Sequence, residues 1–250
     1  MLEVAVTSAV SAAAAAAAGY QSMAPAGQWY GRTFVRGEPG SRQIALTYDD
    51  GPNDPHTLRL LEALAKHNAP ATFFLIGRFV KQRPDIVREI VRAGHAVGNH
   101  TLSHPLLIFK SEKEVRRQLS ECKAVLEDAI GQRSNLFRPP FGGRRPAVLR
   151  VARELGMESI MWSVTGYDWN VPPAHEIERK VAKRIRGGDV ILLHDGGHQK
   201  MGADRSQTVL ATDRLIERFK PRYAFVTIPQ MIADAASTHP PSPVGWRPYS

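Results

Sequence analysis

Short apolar runs alternate with longer amphipathic segments along most of the chain, and this alternation predicts the fold class. Runs that predict strands occupy Gln43–Asp50, Ala71–Gly77, His95–His100, Leu136–Pro140, Glu158–Val164, Asp189–Asp195 and Tyr223–Ile228. Segments that predict helices occupy Pro55–His67, Pro84–Ala93, Ser111–Ile130, Pro146–Leu155, His175–Arg186 and Ser206–Phe219. Repeated strand–helix units are typical of parallel sheets. About seven such units predict an α/β fold with a closed or nearly closed barrel, although the pattern alone also permits a doubly wound sheet.

Residues with acid–base or metal-binding chemistry fall repeatedly at or just after the C-terminal ends of the predicted strands. They are Asp49, Asp50, His100, Arg138, Asp168 and His194. In an α/β barrel, active sites are built at this rim. Because these residues come from separate strand–helix units, their shared position favours a functional site over chance.

The first strand ends in two adjacent carboxylates within Thr47–Pro52, TYDDGP. Successive side chains of a strand point to opposite faces, so Asp49 and Asp50 can serve one cavity only where the strand stops. A strand followed by an Asp-rich turn is the structural alternative, because Asp-Gly is a common turn sequence. The motifs elsewhere in the chain favour the functional interpretation.

Two histidines, His100 and His104, follow the third predicted strand. On a helical turn, their spacing would place both imidazoles on one face. With the carboxylate of Asp50 they form a His₂Asp set, which suits a catalytic metal that keeps open positions for water and substrate. Surface or turn histidines are the alternative, but the neighbouring Gly98 and Pro105 indicate a shaped loop.

The segment Arg138–Gly142, RPPFG, places a cation on a backbone that two prolines restrict. Arg138 can bind a carboxylate through two parallel hydrogen bonds, and this contact would keep Asp49 ionised. A structural salt bridge at the barrel rim is the alternative role of this arginine.

Two further motifs supply an acid, a histidine and aromatic rings. Tyr167-Asp168-Trp169 joins a carboxylate to a large ring, and Ile191–Gly196 carries His194 from an apolar run into a glycine-rich loop. A carboxylate partner such as Asp168 would raise the pKa of His194 and make it a usable proton donor. A core tryptophan and a strand-end histidine without a catalytic role are the structural alternatives.

In order, the motifs TYDDGP, HTLSH, RPPFGG, Tyr-Asp-Trp and LLHD resemble those of the NodB-homology polysaccharide deacetylases, carbohydrate esterase family 4. The resemblance extends from about Gln43 to Ile228, which is most of the chain. It implies a single-domain, distorted (β/α)7 barrel. It also implies a metal-dependent hydrolase that removes N-acetyl groups from a polysaccharide containing N-acetylglucosamine and gives free amine and acetate.

The resemblance assigns a metal site and a base. Asp50, His100 and His104 would hold a divalent metal, usually Zn²⁺, although Co²⁺, Ni²⁺, Fe²⁺ or Mn²⁺ would also suit these ligands. Asp49 would be the general base, and Arg138 would orient it.

The resemblance also assigns an acid and a substrate pocket. His194 would be the general acid, and Asp168 would tune it. The substrate-binding residues would be Phe141, Tyr167, Trp169 and Leu192. The chain departs from the family pattern at Tyr48, where Phe is usual, and at Thr165, where a further acid is common. The second departure removes support for an extended acid network around the Asp168–His194 pair.

Several substrates are compatible with these motifs. Peptidoglycan and chitin-like polymers come first, and acetylated xylan and lipid-linked amino sugars are further candidates. A metal-dependent amidase acting on a small cyclic amide is a related alternative. A catalytically silent glycan-binding module of the same fold belongs to a different class, but such a module would normally lack a metal ligand or the base, and this chain has both.

The composition restricts the classes of ligand and of metal site that the protein can have. A net charge of +9 favours anionic surroundings, yet the basic residues are spread over helical segments and form no block interleaved with aromatic residues that resembles a nucleic-acid site. This distribution argues against a nucleic-acid site. The single cysteine, Cys122, excludes an intrachain disulfide and a metal site built from several cysteines.

The composition also predicts three parts: an Ala-rich leader and extension at 1–40, a catalytic domain at 41–232 and a Pro-rich tail at 233–250. The segment Met1–Ala18 has Glu3 and no basic residue, unlike the positive start of a secretory signal. It is interpreted as the relic of an export signal or anchor, or as a helical or disordered leader, and no membrane span is predicted. A cell-envelope or exported location follows from the first interpretation, with the cytoplasm as the alternative.

Overall fold

The structure, a computed structural model, describes residues 2–238 and is organised around one parallel sheet. Its strands are β1 (Gln43–Gly51), β2 (Thr72–Leu75), β3 (Ala96–Asn99), β4 (Leu136–Phe137), β5 (Glu158–Ser159), β6 (Val164–Thr165), β7 (Val190–His194) and β8 (Ala224–Phe225). Their order is β5-β4-β3-β2-β1-β7-β6, with β8 beside the start of β1. All strand pairs are parallel, and the predicted α/β class is confirmed.

Helices connect the strands. They are α1 (Leu2–Met23), α2 (His56–Lys66), α3 (Gly77–Gln82), α4 (Pro84–Arg92), α5 (Glu112–Ile130), α6 (Pro146–Glu154), α7 (Ala174–Ala182), α8 (Ser206–Phe219) and α9 (Ile228–Thr238). The sequence prediction did not include α3 and α9, and it gave a helix only as one alternative for the leader that forms α1. The longest predicted helix, α5, begins where the Ser111 hydroxyl accepts a hydrogen bond from the Glu114 N–H and ends at Gly131, whose φ is 69°. A hydroxyl cap at the start and a left-handed glycine at the end are common boundaries.

The central strand β1 has a different role on each face. Ile44, Leu46 and Tyr48 belong to the large apolar cluster between the sheet and the helices. The alternate residues, Thr47 and Asp49, are buried on the opposite face. Because both faces are covered, the strand is nearly all apolar except where it reaches the site.

The N-terminal extension closes the barrel where β5 and β6, as described, are not hydrogen-bonded to each other. The Phe34 N–H donates to the Ser159 carbonyl at 2.8 Å, and its carbonyl accepts from the Met161 N–H at 2.7 Å. Further along, the Gly37 N–H donates to the Gly188 carbonyl at 2.8 Å. The extension thus joins the end of β5 to the start of β7 and completes the distorted barrel.

The predicted strand Glu158–Val164 is wrong as a single element, because the chain forms β5, leaves the sheet and then forms β6. The carbonyls of Ile160 and Met161 accept hydrogen bonds from the Arg138 guanidinium, at 3.3 and 3.0 Å. Two carbonyls directed at a side chain are not directed at a neighbouring strand, so the ladder is interrupted here.

Helix α1 covers the Ala-rich leader, and no helix within residues 2–238 combines the length and apolarity needed to cross a membrane. At the other end, α9 extends through the position 232/233 where the tail was predicted to begin. Most of the predicted Pro-rich tail, residues 239–250, lies outside the described residues.

Arg144 attaches the extension to the RPPFGG segment. Its side chain is buried, with 1% of the residue exposed. The guanidinium donates to the carbonyls of Ala24 at 2.7 Å, Gly27 at 2.6 Å and Gly142 at 3.1 Å. The Arg144 N–H donates to the Ser22 carbonyl at 3.0 Å. The N-terminal extension therefore helps to hold the RPPFGG segment in place at the barrel rim.

Replacing Arg144 with Leu should destabilise the protein, because the carbonyls of Ala24, Gly27 and Gly142 lose a charged donor. Hydrogen bonds to charged groups contribute about 1.5–3 kcal/mol each. A net loss of about 2 kcal/mol corresponds to a Tm lower by roughly 4–8 °C for a chain of this size. Thermal unfolding of R144L and of the control R153L, at an exposed position of α6, would test this. Equal Tm values for the two variants would contradict the role of Arg144.

Candidate metal centre and active site

A bulge at the end of β1 brings both aspartates of TYDDGP to one side. Asp49 pairs with Phe74 and Gly51 pairs with Leu75, so Asp50 is an extra residue in the ladder. Its φ is 76°, in the left-handed region that Asp tolerates better than most residues. A bulge redirects a side chain that strict alternation would place on the other face. Both carboxylates are buried, each with 4% of the residue exposed.

His100 and His104 converge through an irregular loop, which agrees with the shaped loop that Gly98 and Pro105 indicated and not with a helical turn. Thr101 and His104 have φ values of 68° and 62°. The Asn99 side chain accepts from the Thr101 N–H at 2.8 Å, and the Thr101 hydroxyl accepts from the His104 N–H at 2.9 Å. These side-chain hydrogen bonds replace helical ones and shape the loop.

The three predicted metal ligands form a compact buried cluster. One ligand atom from each of Asp50, His100 and His104 lies within 4.8 Å of the other two. The Asp50 Oδ1 atom is 3.2 Å from His104 Nε2 and 3.6 Å from His100 Nε2. This buried oxygen accepts no hydrogen bond from the described residues. A buried carboxylate oxygen without a donor, facing two imidazole nitrogens, fits a divalent cation with open positions.

The protonation of the cluster also fits a cation. Burial raises the pKa of Asp50 to about 7. Burial lowers the pKa of His100 to about 3 and that of His104 to about 2. Both imidazoles are therefore neutral around pH 7, with lone pairs available to a metal.

Arg138 contacts Asp49 through one nitrogen, so the predicted two-bond contact is wrong. Nη1 donates to Asp49 Oδ1 at 2.7 Å and to the Thr47 hydroxyl at 2.8 Å. The other guanidinium nitrogens are directed at the carbonyls of Ile160 and Met161. Burial raises the pKa of Asp49, and the charge of Arg138 opposes this effect. A carboxylate with a raised pKa is a better proton acceptor than an exposed one.

Asp168 and His194 form a second charged pair. His194 Nδ1 lies 2.8 Å from Asp168 Oδ1, and the His194 N–H donates to Asp168 Oδ2 at 2.7 Å. The Thr208 hydroxyl donates to the same Oδ2 at 2.9 Å. Burial alone would lower the pKa of His194, but the charge and hydrogen bond of Asp168 raise it to about 9. The imidazole therefore carries a proton at neutral pH.

The predicted substrate-binding residues surround these groups in different ways. Phe141 is 49% exposed and has a φ of 58°, which turns its ring toward His104 at 4.6 Å between centroids. Trp169 is 43% exposed and lies edge-on to His194 at 5.6 Å. Tyr167 packs against Trp169 at 5.2 Å, whereas Leu192 is buried within β7.

Sequence reasoning missed three residues that contact the site: Thr47, Thr208 and His198. The hydroxyls of Thr47 and Thr208 satisfy Arg138 and Asp168, and nothing in the helical pattern of α8 distinguishes Thr208 from its neighbours. His198 follows the LLHD motif in a glycine-rich loop, and its ring stacks on His104. A histidine in a rim loop is a signal that could have identified it.

A model of the polysaccharide deacetylase family matches residues 36–160. A peptidoglycan N-acetylglucosamine deacetylase from Bacillus cereus is 36% identical over 192 residues, which cover 76% of this chain and 87% of the relative. A chitooligosaccharide deacetylase from Sinorhizobium fredii is 38% identical over 208 residues, 80% of this chain and 97% of the relative.

Among solved structures, the chain is similar to a CE4 family pseudoenzyme from Bacillus anthracis, BA3943. The TM-score is 0.74 at 32% identity, and the match covers 80% of this chain and 69% of that one. The barrel expected from the sequence resemblance is thereby confirmed.

Metal affinity should depend on the proton of Asp50 alone. Affinity for Zn²⁺ should fall about tenfold for each pH unit below about 7 and level off above it, because only Asp50 must lose a proton. Competition with a chromophoric chelator across this pH range would measure the slope. A slope near three protons would show that both histidines also titrate and would contradict the prediction.

Proposed function

The chain belongs to the polysaccharide deacetylase family, and from this premise we propose that it is a metal-dependent hydrolase that removes N-acetyl groups from a polysaccharide containing N-acetylglucosamine. The products are a free amine and acetate. One observation carries the proposal: the Asp49–Arg138 and Asp168–His194 pairs lie at the same barrel rim as the Asp50, His100 and His104 cluster.

Hydrolysis of a stable amide requires activation of the attack on the carbonyl carbon and protonation of the leaving nitrogen. Asp49, buried beside the cluster, accepts the proton of the attacking water. The Phe141 N–H donates to the oxyanion of the tetrahedral intermediate. His194 protonates the departing nitrogen, because an amine leaves far more readily than an amide anion. A divalent cation, when bound, polarises the acetyl carbonyl and lowers the pKa of water.

The substrate pocket is formed by rings at the rim. Phe141, Trp169 and Tyr167 are each more than a third exposed, and aromatic faces suit the apolar faces of sugar rings. Leu192, buried at the base of the rim, contributes to the space for the acetyl methyl group. Zn²⁺ is the default cation for a His₂Asp set, and Co²⁺, Ni²⁺, Fe²⁺ and Mn²⁺ are alternatives.

Peptidoglycan and chitin-like oligomers are the substrates that the relatives support, since one relative acts on each class by its name. The net charge of +9 favours the anionic cell envelope and so peptidoglycan. A cell-envelope location belongs to the same proposal.

A catalytically silent glycan-binding module is the second candidate, favoured by the similarity to a CE4 family pseudoenzyme. The complete set of base, acid and metal-ligand side chains in this chain weighs against it. Lipid-linked amino sugars and small cyclic amides are the remaining substrates to test.

Acetate release from peptidoglycan and N-acetylglucosamine oligomers, with and without chelation and Zn²⁺ add-back, tests the function. Asp49→Asn should reduce kcat by about 100-fold or more, because a general base contributes about 10²–10⁴-fold, and should retain bound metal. Asp128→Asn, at an exposed position of α5, is the control. Full activity of D49N would exclude Asp49 as the base, and a metal-loaded wild type without any release would favour the silent module or small amides.

Asp168→Asn should move the alkaline limb of the kcat/KM profile to lower pH by roughly one unit or more. The sign follows from burial: without the carboxylate, burial lowers the pKa of His194, and the proton donor is lost at lower pH. Thr208→Val removes a single hydrogen bond to Asp168 and should cause a smaller shift. An unmoved limb in D168N would contradict the role of His194 as the acid.

A further inference from the structure

His198 lies against the cluster although it is outside the five sequence motifs. It belongs to the His198 loop, residues 195–205, which connects β7 to α8. Its ring stacks face to face on His104, with centroids 4.6 Å apart and planes 19° apart. The Phe141 ring meets both imidazoles edge-on, at 4.6 Å from His104 and 5.4 Å from His198.

The two histidines of the cluster are oriented by different interactions. His100 Nδ1 lies 2.8 Å from the Arg138 carbonyl, which fixes Nε2 toward Asp50. His104 Nδ1 is buried and has no hydrogen-bond partner among the described residues. A metal-binding histidine usually depends on such a hydrogen bond for its orientation. The His104 ring is therefore held by packing, and His198 supplies one whole face of it.

The His198 loop is anchored at several points. The Asn53 side chain donates to the carbonyls of Asp195 and Ala203, both at 2.8 Å, and accepts from the Gly202 N–H at 2.6 Å. The Arg205 guanidinium donates to the carbonyl of Gly196 at 2.7 Å. These anchors hold the loop near both of its ends.

Arg78 anchors the middle of the loop. Its guanidinium donates to the carbonyls of His198 and Gln199, the latter at 3.1 Å. The Arg78 N–H donates to the Leu102 carbonyl at 2.9 Å, within the loop that carries His104. One residue thus connects the two loops whose histidines stack.

The nitrogen atoms of His198 lie outside the ligand cluster. Its Nδ1 is 4.0 Å from Asp50 Oδ2, and the group whose ligand atoms all lie within 4.8 Å consists of Asp50, His100 and His104. The ring face of His198, rather than a nitrogen, makes the close contact. The His198 side chain is 41% exposed.

We propose that His198 is a positioning residue for the metal centre: its ring stacks on His104 and holds that ligand in the absence of a hydrogen bond to Nδ1. Arg78 acts through His198 by holding its loop. The inference rests on the proposed metal site and adds to it an aromatic support that the motifs do not contain.

His198→Ala should weaken binding of Zn²⁺ by about 10–100-fold, the range typical for loss of a group that orients a metal ligand. His198→Phe keeps a ring face without nitrogen atoms and should bind within about threefold of wild type. The visible spectrum of bound Co²⁺ should change in H198A and be restored in H198F. His175→Ala, at an exposed position of α7, is the matched control.

A double-mutant comparison tests the role of Arg78. Arg78→Ala should weaken Zn²⁺ binding in the wild type but have little further effect in H198A, because it acts through the same ring. At saturating metal, H198A should recover most of its kcat with little change in KM.

The results of these experiments distinguish a failure of the positioning role of His198 from a failure of the proposed metal site. Zn²⁺ bound stoichiometrically by wild type and lost in Asp50→Asn establishes the site, and failure of wild type to bind would overturn both proposals. With the site established, unchanged affinity in H198A would overturn the inference. Loss in H198F as large as in H198A would also overturn it, because the nitrogen atoms rather than the ring would then be required. Thermal unfolding of metal-free H198A, with a Tm equal to wild type, would show that the loss is local.

Discussion

The site depends on the buried cation of Arg138, a residue that is 0% exposed. Its guanidinium satisfies Asp49 and Thr47 from β1 and the two carbonyls that interrupt the sheet after β5. Its carbonyl orients His100, and its cationic group lies 4.1 Å from the ring centroid of Phe74 in β2. A buried charge without its partner costs about 3–5 kcal/mol, so these strand ends are forced to meet at one point.

That constraint explains why the rim departs from regular structure. Asp50, His104 and Phe141 all have positive φ, and none is glycine. Residues in this region cost about 1–3 kcal/mol each and persist only when their surroundings hold them. Here the residues are held by hydrogen bonds to neighbouring side chains. The Thr101 hydroxyl, for example, accepts a hydrogen bond from the His104 N–H. The stability of the apolar core is therefore partly used to hold reactive groups in positions that a regular strand or helix would not provide.

The sequence allowed the reactive residues to be identified because each follows a periodic apolar run, and parallel strands bring such positions to one rim. It did not reveal how they converge. Gly98 and Pro105 indicated a shaped loop between His100 and His104, but not its conformation, since that comes from hydrogen bonds of the Asn99 and Thr101 side chains. The break in Glu158–Val164 was equally hidden, because it is caused by Arg138, which lies 22 residues earlier. The strand propensity of a segment does not show whether its carbonyls accept hydrogen bonds from a cation that is distant in the sequence.

The two histidines of the cluster join it to different parts of the molecule. His100 is oriented by the backbone carbonyl of Arg138, and the side chain of the same Arg138 contacts Asp49. Any movement of Arg138 is therefore transmitted to His100. His104 is held through the His198 ring, and hence by a loop whose anchors are Asn53 and Arg78. The first connection is buried in the barrel, whereas the second lies in a rim loop, where chain length and sequence vary most readily. A barrel of this kind can thus keep its base and one ligand constant while the loop adjusts the second ligand. In this chain, His104 and the ring that supports it come from two different rim loops, so the strength of the metal site depends on how Arg78 holds these loops together.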